Sequence, residues 1–177
     1  MSDPASRPNG WTVWLAQGFG VGRSPVAPGT LAAAPGLAWF LALVSLGSGW
    51  AFAAACAASL ILAVPVCSAA ENRLQRHDPP SIVLDEIVAL PLCFVSWLAY
   101  CAKDLERWPE PSYFLTGSHL PLTLALIAGF RAFDIWKPWP VRQSQALWGG
   151  LGVVADDALA AAWVNLMWYV GAVILLP

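Results

Sequence analysis

Charge is scarce in this chain. Only 11% of its 177 residues are Asp, Glu, Lys or Arg, against about 25% in an ordinary soluble domain. Hydrophobic residues make up 58%, and the mean hydropathy is +0.61. A soluble domain of this length could not cover its surface with so few polar groups, so the chain reads as a multi-spanning membrane protein. No basic tail is present and the net charge is only -2, which excludes a nucleic-acid partner. The four cysteines, Cys56, Cys67, Cys93 and Cys101, lack zinc-ligand spacing and read as small packed hydrophobes. No apolar core follows the polar, proline-containing residues 1–10 closely enough to make a signal peptide. Those ten are expected to be disordered, and 11–177 to form one domain. Tryptophan, by contrast, is abundant: eleven, placed near segment ends where they suit a membrane interface.

The apolar periodicity predicts an all-α, multi-spanning helical bundle of about five apolar helices. Trp11–Phe19 is short and interfacial. A Gly/Pro-rich loop, 18–30, leads to Thr30, a candidate N-cap. The spans are expected at 31–46, 51–70 (with Pro65 a potential kink), 82–102 (capped by Ser81), 119–134 and 156–176. Five crossings put Arg7, Arg23, Arg73, Arg76, Arg131, Lys137 and Arg142 on one side, and only Lys103 and Arg107 on the other. That bias makes the first side cytoplasmic. It also gathers Asp78, Asp85, Glu86, Asp134, Lys137, Asp156 and Asp157 at one cytoplasmic end.

The chain centres on Phe130-Arg-Ala-Phe-Asp-Ile-Trp-Lys-Pro-Trp-Pro140. Spacings of three place Arg131, Asp134 and Lys137 on one helical face. Pro138 then stops the helix, since it removes a donor and disfavours helical geometry at Lys137. Acidic residues at the mouths of apolar helices are costly unless hydrated, paired or bound to a cation. Asp85-Glu86, Asp134 and Asp156-Asp157 could together ligate a hard divalent cation such as magnesium. The plainer reading is that carboxylates in a first helical turn simply meet the helix dipole. Lys137 and Arg131 suit a phosphate, though either could snorkel to lipid head groups instead. The 18–30 loop could cradle a phosphate with backbone donors or merely connect. His77 is the better placed histidine for proton transfer, and a solvated loop residue is the plainer alternative. Asp78, before Pro79, reads as the start of a turn.

Two lookalikes are set aside. Cys67-x5-Arg73 has the spacing of cysteine phosphatases but lies on an Ala-rich helix tail with no glycine loop. Thr116-Gly-Ser-His119 lacks the partner motifs of histidine lipid phosphatases and falls at the sparsely charged end.

Four motifs occur in order: Ser24-Pro-x-Ala-Pro-Gly-Thr30, Asp78-Pro-x3-Val-x-Asp85-Glu86, the Phe130–Pro140 stretch, and Gly150-x-Gly-x3-Asp-Asp-x2-Ala160. Together they resemble the phosphatidylglycerophosphatase A family. Ala32-Ala33 and Ala89 stand where that family often has Gly-Ser and Gly. The resemblance implies a magnesium-dependent, multi-pass enzyme of the bacterial inner membrane that converts phosphatidylglycerophosphate to phosphatidylglycerol. Asp85, Asp134 and Asp157 are expected to hold one or two magnesium ions, with Glu86 and Asp156 as ligands or supports. Lys137 and Arg131 would neutralise the phosphate, assisted by Gly29 and Thr30. Asp134, Lys137 and Asp85 are the expected catalytic residues. The nucleophile is water or a carboxylate, and water is favoured because the Asp-x-Asp-x-Thr signature is absent. The rival outside enzymology is a small transporter with an ion path of carboxylates at mid-membrane. A CDP-alcohol phosphotransferase would need a long Asp-rich signature that is missing.

Overall fold

A computed structural model describes residues 10–76 and 78–175. The expectations for residues 1–9 and for His77 fall outside the described residues. Eight α-helices make up the fold: α1 Gly10–Ala16, α2 Pro28–Val44, α3 Gly49–Leu74, α4 Leu84–Ala89, α5 Val95–Asp104, α6 Leu120–Trp136, α7 Val141–Ser144 and α8 Gly150–Leu175. Short 3-10 turns fill Gly18–Arg23, Leu90–Phe94 and Pro111–Leu115. No strand occurs among the described residues.

Five spans were expected, whereas among the described residues three helical stretches are long and apolar enough to cross a membrane: Gly49–Leu74, Leu84–Asp104 and Gly150–Ile174. Helices α2 and α6 stop at 17 residues each, about 25 Å at 1.5 Å per residue, short of a roughly 30 Å hydrocarbon core. The chain direction reverses between successive long elements. The C-termini of α3 and α6 and the N-termini of α2, α4 and α8 therefore share one end of the bundle.

Local chemistry sets most boundaries. Ser48 caps α3, its hydroxyl oxygen accepting from the Ala51 amide at 3.2 Å. Helix α3 continues unbroken through Pro65. Helix α6 ends at Trp136, and Lys137 adopts a left-handed conformation (φ +50°) before Pro138, as the proline stop requires. Three boundaries differ from expectation. Pro28 starts α2, because proline suits a first helical turn, which leaves Thr30 inside that turn rather than capping it. Val83, not Ser81, precedes α4. Helix α8 begins six residues before Asp156.

The core is aromatic. Phe40 stacks on Phe94 with ring centroids 3.9 Å apart, and Phe114 meets Phe40 edge-on at 5.0 Å. Beside it, Pro91 breaks the helix that carries Asp85 and Glu86 into the 3-10 turn Leu90–Phe94. The Asn165 carboxamide of α8 inserts at this break. Its Oδ1 accepts from the Ser96 amide at 2.8 Å, and its Nδ2 donates to the carbonyls of Leu92 at 2.5 Å and Ala161 at 3.0 Å. One side chain thus bridges the Leu92–Ser96 pair that a regular helix would join directly. Asn165→Leu strands both backbone groups in an apolar layer and is expected to destabilise the fold by about 1–3 kcal/mol. Thermal unfolding in detergent checks this, and a wild-type midpoint would refute the bridge.

Candidate active site

Six carboxylates converge on one cavity of about 230 Å³, lined by Asp78, Asp85, Glu86, Asp134, Asp156 and Asp157 together with Lys137, Ile135, Pro80 and Ile82. They come from four places in the chain, which the antiparallel course of the helices brings to a single end. Asp85 and Glu86 sit in the first turn of α4. Asp156 and Asp157 lie in the second turn of α8, and no acidic residue occupies its first turn. The dipole explanation therefore fails for that pair, since the field falls off within the first turn.

Two cations hold part of this acidity. Arg131 Nη1 lies 2.9 Å from Glu86 Oε2 and 2.8 Å from Asp134 Oδ2. Both are close ion pairs between largely buried side chains. Lys137 Nζ donates to Asp156 Oδ2 and stands 3.9 Å from Asp134 Oδ1. Burial opposes the Lys137 charge, but the hydrogen bond to Asp156 and the charges of Asp156 and Asp134 outweigh it. Its pKa is raised above the ordinary lysine value, so Lys137 stays protonated at neutral pH. The left-handed turn after α6 places Lys137 at this site, so the proline stop read in the sequence also positions a cation.

Asp85 and Asp157 have no cationic partner among the described residues. They are 4% and 3% exposed, and Asp85 Oδ1 is buried with no hydrogen bond. Six carboxylates face two cations, an excess of four formal negative charges. Charge of that density in a low-dielectric site calls for a counter-ion, and an all-oxygen donor set suits a hard divalent cation. Among the described residues no three acidic, His or Cys side chains already converge in metal-ligating geometry.

Gly29 stands where α2 meets the site. A Cβ there would collide with the Arg131 guanidinium and the Glu86 carboxylate. Thr30, the other predicted phosphate contact of that loop, is exposed, and no hydrogen bond ties it to the cavity among the described residues. The sequence gathered Asp78 at this end but read it as a turn residue, and it did not single out Glu71, Gln145 or Ser68. Asp78 lines the cavity, and its Oδ2 accepts from Gln145 Nε2 at 3.2 Å. Glu71 Oε1 accepts from the Asp78 amide at 2.7 Å. Ser68 Oγ accepts from the Gly150 amide at 2.8 Å and seats the start of α8 on α3. Proximity to Asp85 in the second motif was a signal for Asp78; nothing local marked Gln145 or Ser68. The lookalikes stay outside the site. Cys67 is fully buried within α3. His119 precedes α6 and lies about 22 Å along that helix from Asp134.

Comparison with known proteins gives a consistent picture. The family model for phosphatidylglycerophosphatase A matches residues 14–172. A Bacteroides thetaiotaomicron protein named "Putative phosphatidylinositol-3-phosphatase" is 33% identical over 93% of this chain and 99% of its own. Proteins named phosphatidylglycerophosphatase A are 26% identical in Escherichia coli, over 92% of this chain and 84% of theirs, and 31% identical in Haemophilus influenzae, over 86% and 83%. No solved structure matches the chain.

Proposed function

The chain belongs to the phosphatidylglycerophosphatase A family, and from that premise we propose that it hydrolyses the terminal phosphate of phosphatidylglycerophosphate, with magnesium at the carboxylate cavity. The excess of four negative charges among the cavity residues and their cations carries this reading. Asp85 and Asp157, which lack cationic partners, would hold the metal together with Asp134. Glu86 and Asp156 would act chiefly by holding Arg131 and Lys137. Magnesium supplies charge neutralisation at a phosphoryl group and makes water a better nucleophile.

The protein's own groups divide the remaining work. Lys137 and Arg131 face the charge that builds on the phosphoryl oxygens, where preorganised cations contribute most. The Gly29 backbone, at the N-terminal turn of α2, adds a partial positive charge beside Arg131. Asp134 sits between both cations, and this clamp fixes its orientation towards the reacting group. Water as nucleophile fits better than a carboxylate, because Asp85, Asp134 and Asp157 would hold the metal and Glu86 and Asp156 orient the cations.

An ion path would need acidic groups at mid-membrane, whereas these cluster at one end of the helices. The positive-inside distribution supports a multi-pass protein of the bacterial inner membrane with this end facing the cytoplasm. The named Bacteroides relative raises one substrate rival, a phosphoinositide. Both substrates are phosphate monoesters on a lipid. Phosphate release by the purified protein from micellar phosphatidylglycerophosphate and phosphatidylinositol 3-phosphate separates them. We expect the former to be preferred at least 10-fold in kcat/KM; preference for the phosphoinositide would overturn the substrate, and release from neither would overturn the phosphatase reading.

A further inference from the structure

The carboxylate cavity is polar inside and apolar at its mouth. Of its lining residues, the two exposed ones are Pro80 and Ile135. Ile135 is 74% exposed. A site built for soluble phosphate esters gains nothing from an apolar rim, since water-borne anions are drawn in by polar and charged edges.

Ile135 also belongs to a longer feature. Along α6 the exposed residues are Pro121, Leu124, Ala125, Ala128, Ala132, Ile135 and Trp136, at helical spacings that form one continuous apolar stripe. The other faces of α6 pack inward through Thr123, Leu126, Phe130 and Phe133. Three alanines make the exposed stripe shallow between the bulkier Leu124 and Ile135. From Leu124 to Ile135 it runs about 16 Å at 1.5 Å per residue, close to the roughly 15 Å depth of one hydrocarbon leaflet. That length matches the reach of an acyl chain through one leaflet from the cavity mouth.

We propose that this stripe is the acyl-chain track of the lipid substrate. One chain lies along Leu124, Ala128 and Ala132, the glycerol region crosses the Ile135–Pro80 rim, and the phosphate reaches the cavity without leaving the bilayer. The inference rests on the lipid phosphatase reading above. Its occupant is fixed by continuity: an amphiphile with a phosphate at one end and an alkyl chain at the other matches a polar cavity that opens onto an apolar track. The track makes recognition depend on chain length, so Ala128 and Ile135 are specificity-determining rather than catalytic.

The test compares long-chain phosphatidylglycerophosphate with its dihexanoyl analogue in detergent micelles, using wild type, Ala128→Trp, Ile135→Ser and Val170→Trp. Val170 is an exposed apolar residue on a different helix, α8. The expected result is a 5- to 10-fold rise in KM for the long-chain substrate with Ala128→Trp and a smaller rise with Ile135→Ser. Ala128→Trp should leave kcat and KM for the dihexanoyl lipid unchanged, Ile135→Ser, at the cavity rim, should raise KM for both lipids, and Val170→Trp should behave as wild type. Equal losses on both substrates with Ala128→Trp, or no loss with it on the long-chain substrate, would overturn the track while leaving the phosphatase reading intact. A wild type that releases phosphate from neither lipid would overturn the reading and the track with it. All three positions face outward, so the fold is retained, and helical circular dichroism confirms it.

Discussion

Asp157→Asn is expected to lower phosphate release by about 10³-fold or more and, in the same protein, to raise the stability of the metal-free fold. The two effects share one cause. Asp157 is buried in the second turn of α8 with no cationic partner among the described residues, near a second such acid, Asp85. An ionised carboxylate without a partner costs several kcal/mol in such a site. Asparagine keeps the shape and removes the charge, so the metal-free variant should gain about 2 kcal/mol. For a chain of this length that corresponds to a melting midpoint about 4–8 °C higher. Magnesium should reverse the order. The wild type gains stability as the cation binds the folded state, while the variant, with a ligand removed, gains less. Thermal unfolding with and without magnesium reads both signs. A variant that is destabilised without metal, or active with it, would contradict this role for Asp157.

Lys137→Met should show the opposite stability effect with a similar functional loss. Lys137 is the partner of Asp156, a buried carboxylate. Removing the lysine strands that charge, which costs about 3 kcal/mol in comparable buried pairs. Phosphate release should fall by about 10²- to 10³-fold, the usual loss when one preorganised charge at a reacting group is deleted. The double variant Lys137→Met/Asp156→Asn separates the two roles. It should recover most of the stability, because no uncompensated charge remains, yet stay as inactive as the single variant. Recovery of activity in the double variant would mean that Lys137 serves only to neutralise Asp156.

Much of this site was legible in the sequence because helical spacing and a proline stop are local signals. Arg131, Asp134 and Lys137 come together as their spacing of three required, and Lys137 takes the left-handed position that Pro138 imposes. Membrane logic brought the distant acids to one end, since charges on apolar helices are tolerated only near their mouths. What the sequence concealed depends on tertiary partners. The early start of α8 rests on Gly150 packing against Val64 and Ser68 of α3, an approach too close for any Cβ. That shift moves Asp156 and Asp157 inward and removes the dipole explanation. Thr30 reads as a cap until Pro28 claims the first turn. Asp78 reads as a turn residue until Gln145, 67 positions away, meets its carboxylate. Asn165 reads as one polar residue in an apolar helix, and its purpose appears only beside the Pro91 break. Helix count was the coarsest expectation: apolar composition suggested about five spans, whereas three helical stretches among the described residues are long and apolar enough to cross a membrane, the lengths of α2 and α6 being set by Pro28, Ser45 and Lys137 at their ends.

The central claim is that this carboxylate cavity needs magnesium to release phosphate from phosphatidylglycerophosphate. The direct measurement uses protein purified in detergent, stripped with a chelator, and assayed for phosphate release with and without added magnesium, beside Asp134→Asn. The account predicts release by the wild type only when magnesium is restored, and a loss of about 10²-fold or more in the variant. Undiminished release by the chelated wild type, or full activity of Asp134→Asn, would contradict it.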